Sequence, residues 1–188
     1  DPLGRRTTLT YDGAGRRTTA TDALGQVTTF TYNGIGLTLT ATDPLGKLTT
    51  FSYNDAGQLT ERLDANGHRW TTVYDPVGRV WATVDPLGNR TTVSYDDLGR
   101  QLATTKPAGQ VTTTVYDPAG RVWATVDPLG NHTTFSYDAA GRRTEVLDAN
   151  GNRTSFVYDE AGRLTTEINA LWWATTYSYD TVGRRTEV

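Results

Sequence analysis

The chain has no cysteine and no methionine in its 188 residues, and only two histidines. Without cysteine there are no disulfides, no thiolate nucleophiles and no thiolate metal ligands. No stretch approaches the roughly 20 apolar residues that a membrane-spanning helix needs. No charged-then-apolar leader opens the chain either. Positive charge is not in excess: 18 Lys and Arg against 21 Asp and Glu leave a net charge of −3. A surface of that sign has nothing to draw nucleic acid or anionic lipid to it. A 3.6-residue apolar period is missing throughout, so no helix is expected anywhere. The chain starts at Asp1, already in register with the pattern described next, and reads as a piece of a longer or processed protein.

What is abundant is threonine, about a fifth of the chain, often as pairs such as Thr91-Thr92 and Thr133-Thr134. β-Branched residues favour strands over helices. Order appears in the spacing. Tyrosine stands at Tyr11, Tyr32, Tyr53, Tyr74, Tyr95, Tyr116, Tyr137, Tyr158 and Tyr179, always 21 residues apart. A glycine follows four residues after each: Gly15, Gly36, Gly57, Gly78, Gly99, Gly120, Gly141, Gly162 and Gly183. One short unit is therefore copied about nine times, and function belongs to the assembled surface, because catalysis needs unlike residues at unique positions.

Within one unit, two runs of about seven strand-forming residues flank an Asp-x-x-Gly segment, as in Gly88–Tyr95, Asp96–Gly99 and Arg100–Thr105. Aspartate at the first turn position accepts from backbone amides ahead, and glycine at the last takes φ > 0 freely. Each unit is predicted to be a β-hairpin with a type I turn and a glycine bulge. A second turn links consecutive units: Asp-Pro-Leu-Gly from Asp1, Asp43, Asp85 and Asp127, and Asp-Ala-Asn-Gly from Asp64 and Asp148. The expectation is an all-β antiparallel meander of about eighteen short strands over residues 1–188, a curved or spiralling single-layer sheet that forms a shell or tube.

Register sets a condition. Two identical three-residue bulged loops would bring residue i opposite residue i+20, whereas the unit repeats at i+21, and an odd mismatch flips side chains to the wrong face. Either the two turns differ in type or every unit carries an extra bulge. The first strand is readable without that answer. Tyr95, Val93 and Thr91 share a face, as do Tyr137, Phe135 and Thr133, and Tyr158, Phe156 and Thr154. Arginine after the turn glycine (Arg16, Arg79, Arg100, Arg121, Arg142, Arg163, Arg184) forms a row near one rim, where stacking on tyrosine is worth about 0.5–1 kcal/mol per exposed pair. The opposite face carries Thr, Ser and Val, so neither face supports a thick core.

The motif Tyr-Asp-x-x-Gly-Arg, intact at Tyr11, Tyr74, Tyr95, Tyr116, Tyr137, Tyr158 and Tyr179, resembles the YD repeat of RHS-repeat proteins over the whole chain. Two copies depart from it: Tyr32 precedes Asn33 and Leu37, and Tyr53 precedes Asn54 and Gln58. That family includes bacterial polymorphic toxins, insecticidal toxin-complex subunits and teneurins. The resemblance implies hairpins joined in a strip that spirals into a hollow shell, enclosing a C-terminal effector in the toxin members. It also implies secretion or display at the cell surface. No plug, self-cleavage segment or effector is found in the sequence, which reads as wall alone.

Candidate chemistry is sparse. The aspartates, Asp96-Asp97 included, recur at turn positions and read as turn caps rather than acid–base pairs. His68 and His132 lack neighbours at ligand spacing, and Ser94, Ser136 and Ser178 occupy a strand position shared with Thr and Val. No enzyme, metal or cofactor is expected. Tryptophan is the exception. Trp81 and Trp123 hold the same repeat position two units apart, suited to packing against a neighbouring layer or stacking on sugar rings. In the linker turn Asn169-Ala170-Leu171, Trp172 replaces the glycine and Trp173 follows, which predicts a wider or differently shaped turn and contact with a partner. Expected partners are neighbouring repeats or identical chains through sheet edges, an enclosed effector domain, and glycans. The resulting function is a wall that encloses or displays a toxin effector, with a surface fibre or adhesin as the alternative.

Overall fold

The computed structural model describes residues 6–187, so the turn expected from Asp1 lies outside the described residues. It divides into two compact units, one ending at Thr92 and the other beginning at Val93. Among the described residues there is no helix. The first unit holds β1 (Thr8–Tyr11), β2 (Arg17–Thr21), β3 (Val27–Tyr32), β4 (Thr38–Thr42), β5 (Leu48–Tyr53), β6 (Leu59–Leu63), β7 (Arg69–Tyr74) and β8 (Val80–Val84). The dividing point falls within β9 (Arg90–Tyr95). The second unit continues with β10 (Gln101–Thr105), β11 (Val111–Tyr116), β12 (Val122–Val126), β13 (His132–Tyr137), β14 (Arg143–Leu147), β15 (Arg153–Tyr158), β16 (Leu164–Ile168), β17 (Ala174–Thr176), β18 (Ser178–Tyr179) and β19 (Arg185–Glu187).

Each unit is an antiparallel meander of hairpins. In the first, every strand from β1 pairs with its successor as far as β9. In the second the same holds from β10 to β17, and β18 pairs with β19 in a separate ladder. The count is nineteen rather than eighteen because one expected strand is broken at Tyr177 into β17 and β18. There the Tyr177 N–H still donates to the Thr165 carbonyl at 2.9 Å.

The two kinds of turn have one geometry. In the arginine turn, Asp138 N–H donates to the Arg142 carbonyl at 2.9 Å and Gly141 N–H to the Asp138 carbonyl at 3.0 Å. In the linker turn, Asp148 N–H donates to Asn152 and Gly151 N–H to Asp148, both at 3.0 Å. The fourth residue sits at positive φ in every described turn. The open question of register is therefore answered by the bulge. In β1–β2, Tyr11 faces Arg17 but Thr10 faces Thr19, so Thr18 is an extra residue; β2–β3 pairs Thr19 with Thr29 and has no interruption.

That extra residue makes the mismatch even. Thr10 lies across two strands from Thr29, an offset of nineteen, while its copy in the next unit is Thr31. The second unit repeats the pattern: Val115 faces Ala124, which faces Thr134, and the copy of Val115 is Ser136. Each hairpin thus slides two residues, about 7 Å, along its predecessor, and because the side-chain period is two, every residue keeps its face. Without the bulge the slide would be one residue and the faces would alternate from copy to copy.

Neither unit builds a conventional core. Among the described residues only Ala82 and Ala124 are buried. Both directly follow a bulge tryptophan, Trp81 or Trp123. The equivalent Ala103 follows Leu102 and is only half-buried. No helix of the described residues is long and apolar enough to cross a membrane.

Candidate functional site

The recurring side chains join one hairpin to the next. The β2–β3 ladder ends at Thr19 and Thr29, leaving the Arg17 carbonyl beyond it. The Tyr32 hydroxyl donates to that carbonyl at 2.7 Å. The same cap recurs fifteen residues back from Tyr53, Tyr74, Tyr116, Tyr137, Tyr158 and Tyr179, at 2.8 to 2.9 Å. Tyrosine therefore closes the gap that the bulge opens in the ladder, a role its ring alone could not fill.

Arginine reaches in the same direction. Arg142 Nε donates to Asp138 Oδ2 of its own turn at 2.7 Å, and its Nη1 donates to the Asp159 carbonyl of the next at 3.0 Å. Its guanidinium lies 4.9 Å from the centre of the Tyr158 ring. Arg16 over Tyr32, Arg100 over Tyr116, Arg121 over Tyr137 and Arg163 over Tyr179 repeat the arrangement at 4.3 to 5.1 Å. The stacking anticipated from the row of arginines is present, always onto the tyrosine of the following copy.

The two departing copies behave as natural variants of this clasp. At Asn54 and Gln58 the ion pair becomes a neutral amide pair: Asn54 Nδ2 donates to Gln58 Oε1 at 2.9 Å and Gln58 Nε2 to the Gly78 carbonyl at 2.7 Å. At Leu37 the reach is lost, yet Asn33 Oδ1 still accepts from the Ile35 and Leu37 amides. A linker turn goes further, since Lys106 stands in the aspartate position. Its backbone bonds from Lys106 to Gln110 and from Gly109 to Lys106 remain at 2.9 Å. The side-chain cap supports the turn without defining it.

Each aspartate divides its oxygens. Asp138 Oδ1 accepts from the Ala140 and Arg142 amides while Oδ2 takes the guanidinium. Its carboxyl is held below the ordinary range, chiefly by the Arg142 amide, against partial burial and with help from the Arg142 side chain. In the linker turns Asn replaces Arg. The Asn89, Asn131 and Asn152 side-chain amides lead the depression of Asp85, Asp127 and Asp148. These carboxylates are committed to turns, and no group of three or more His, Cys, Asp or Glu among the described residues is arranged to hold a metal. His68 contacts Asp64 Oδ2 at 3.0 Å and meets the edge of Trp70.

The tryptophans occupy structurally distinct places. Trp81 and Trp123 are themselves the bulge residues of β8 and β12, 45% and 51% exposed, and the Arg90 guanidinium lies 4.6 Å from the Trp81 ring. The register puzzle in the sequence signalled a bulge but not its position, so this placement could not be foreseen. The expectation of a wider turn at Trp172 is corrected. Asn169 N–H donates to the Trp173 carbonyl at 3.0 Å and Trp172 N–H to the Asn169 carbonyl at 2.9 Å, as in every glycine turn. Trp172 simply adopts the left-handed φ of 64° itself, at a cost of about 1–2 kcal/mol. The closed hydrogen-bond pair fixes the backbone, and the asparagine cap, accepting from Leu171 and Trp173, holds it there. Both indoles are left outside, Trp172 82% and Trp173 74% exposed.

No curated protein matches this chain in sequence. Its fold is shared with Tc toxin structures. A crystal structure of TcdB2-TccC3-Cdc42 superposes with a TM-score of 0.54 at 15% identity, covering 96% of this chain and 14% of that one. The Photorhabdus luminescens Tc holotoxin pore gives a TM-score of 0.55 at 15% identity, covering 96% and 13%. The chain thus spans about one seventh of the length of these structures, and at this identity the likeness is one of fold. The RHS Repeat family model matches residues 1–27, 32–69, 74–112, 116–153, 144–171 and 158–188. Carrying that repeat almost from end to end, this structural repeat scaffold belongs to the RHS-repeat family.

Proposed function

We infer that the array is a segment of wall in a β-shell that encloses or displays a toxin effector outside the producing cell. The observation that carries this reading is the two-residue slide per hairpin. It lets the sheet lengthen by any number of copies while each face keeps its side chains, the property a container wall needs. The Tc toxin structures that share the fold are several times longer than this chain, consistent with a wall built from many more copies. The clasp residues join copy to copy and leave no group over for turnover chemistry.

The test is to purify the native polypeptide that carries this array, image it by electron cryo-microscopy, and treat it with protease under folding conditions. A closed particle, with a protected internal polypeptide that becomes cleavable once the wall is opened, is the expected result. Filaments, or an effector digested at the same rate in intact and opened particles, would overturn the container and favour a surface fibre.

A further inference from the structure

Along the linker-turn rim of the second unit, a cleft lies between one turn and the next. Between the turns at Asp127 and Asp148 it is lined by Gly130, His132, Thr134, Leu147, Asp148 and Gly151, and measures about 470 Å³. One copy further on, every one of those positions recurs 21 residues later as Gly151, Arg153, Ser155, Ile168, Asn169 and Trp172, and the volume falls to about 200 Å³. The fold supplies the cleft in both places. In the second, an indole replaces a glycine at one wall, and an arginine replaces a histidine on the floor.

We propose that this second cleft is a carbohydrate-binding site that takes a single neutral pyranose ring of a glycan, stacked on Trp172. The turn closes identically with glycine, so the tryptophan contributes nothing to its hydrogen bonding, and its side chain is 82% exposed in spite of its size. A pyranose has one face of C–H bonds and a rim of hydroxyls, which matches a wall of indole beside a polar floor. Arg153 is anchored there by Glu145 Oε2 at 2.9 Å, and its other N–H groups point the chemistry toward oxygen acceptors. Asn169 Oδ1 already accepts from two turn amides, leaving its NH₂ as the group able to donate. Ser155 adds a hydroxyl that works in either sense. A purely apolar ligand would find only Trp172 and Ile168 to cover it, and few convergent polar groups beside one aromatic wall is the usual make-up of a small-molecule site. The reduced volume admits one ring, so specificity would rest on a terminal or side-branch sugar. The site is independent of what the wall encloses.

The experiment uses the 188-residue chain with a panel of methyl pyranosides (glucose, galactose, mannose and N-acetylglucosamine), read by saturation-transfer NMR and titration. Transfer to at least one sugar is expected, weakened about tenfold or more by Trp172→Gly and by Arg153→Leu and unchanged by Trp81→Ser. Trp172→Gly restores the residue found in every other described turn, so its circular dichroism should match the parent and exclude misfolding. Absence of transfer to the whole panel, or equal binding in Trp172→Gly, would overturn the proposal. So would sedimentation showing that Trp172→Gly abolishes self-association while no sugar binds, since the cleft would then belong to a second copy of the chain.

Discussion

A repeat tyrosine is held at both ends, its ring under the arginine of the preceding copy and its hydroxyl on a carbonyl that the bulge has left outside the ladder. Tyr137→Phe removes only the second contact, the 2.8 Å bond to the Val122 carbonyl. It should lower stability by about 1 kcal/mol, because a half-buried acceptor loses its donor while Arg121 keeps its place over the ring. An unchanged denaturation midpoint would mean that water replaces the hydroxyl at no cost. Trp172→Gly should do the reverse and raise stability by about 1 kcal/mol, by removing a side chain from left-handed backbone. The turn aspartates set an acid limit. Asp12, Asp96, Asp117, Asp138, Asp159 and Asp180 all titrate below the ordinary value of 3.8. A carboxyl depressed on folding stabilises fully above its unfolded value and loses that contribution as pH falls through the folded one. Denaturation midpoints should therefore hold steady at neutral pH and drop below about pH 4, and a flat profile down to about pH 2 would contradict the clasp. The aspartate and glycine roles were legible because turn chemistry is local. The tyrosine cap was not, since it joins residues fifteen apart through a carbonyl exposed only once the bulge exists.

At the level of the hairpin, the sequence posed the register problem and the structure answered it with one residue. The twenty-versus-twenty-one mismatch could be counted from the turns, which made the meander and its first-strand face readable. Which residue carried the bulge could not be, because Thr18, Trp81, Trp123 and Thr144 share a position but no common side-chain type. That variety is itself informative: the position is defined by backbone, and its side chain is free to serve another purpose, as the tryptophans do. Thr144 tests the point. Thr144→Ala should change stability by no more than about 0.5 kcal/mol. Deleting Thr144 should cost far more, because β14 would then meet β13 without the bulge and present Val146 and Leu147 on exchanged faces. Hydrogen exchange should show the amides of β14 and β15 losing protection in the deletion alone. Equal protection in the two variants would show that the turns absorb the slip.

Taken as a molecule, the array replaces a core with repetition, since burial among the described residues is confined to Ala82 and Ala124. Stability then comes from ladders and clasps between sequence neighbours, and should be close to a sum over copies. That predicts which lengths of chain can be removed. Deleting residues 117–137 joins Tyr116 to Asp138, which opens an intact arginine turn. The shortened chain keeps strand direction, rim and face for every later residue, so the second unit should fold with native circular dichroism and a denaturant slope reduced in step with the surface removed. Deleting residues 117–126 instead joins Tyr116 to Asp127 and removes a single strand with its turn. Everything downstream then runs in the opposite direction, the arginine and linker turns exchange rims, and Tyr137 loses the Val122 carbonyl together with the bulge that exposed it. The shorter deletion should therefore be the more damaging one, with loss of exchange protection through β13 and β14. If half a copy proved as dispensable as a whole one, strand pairing alone would be holding the array together, and the twenty-one-residue clasp would not be its unit.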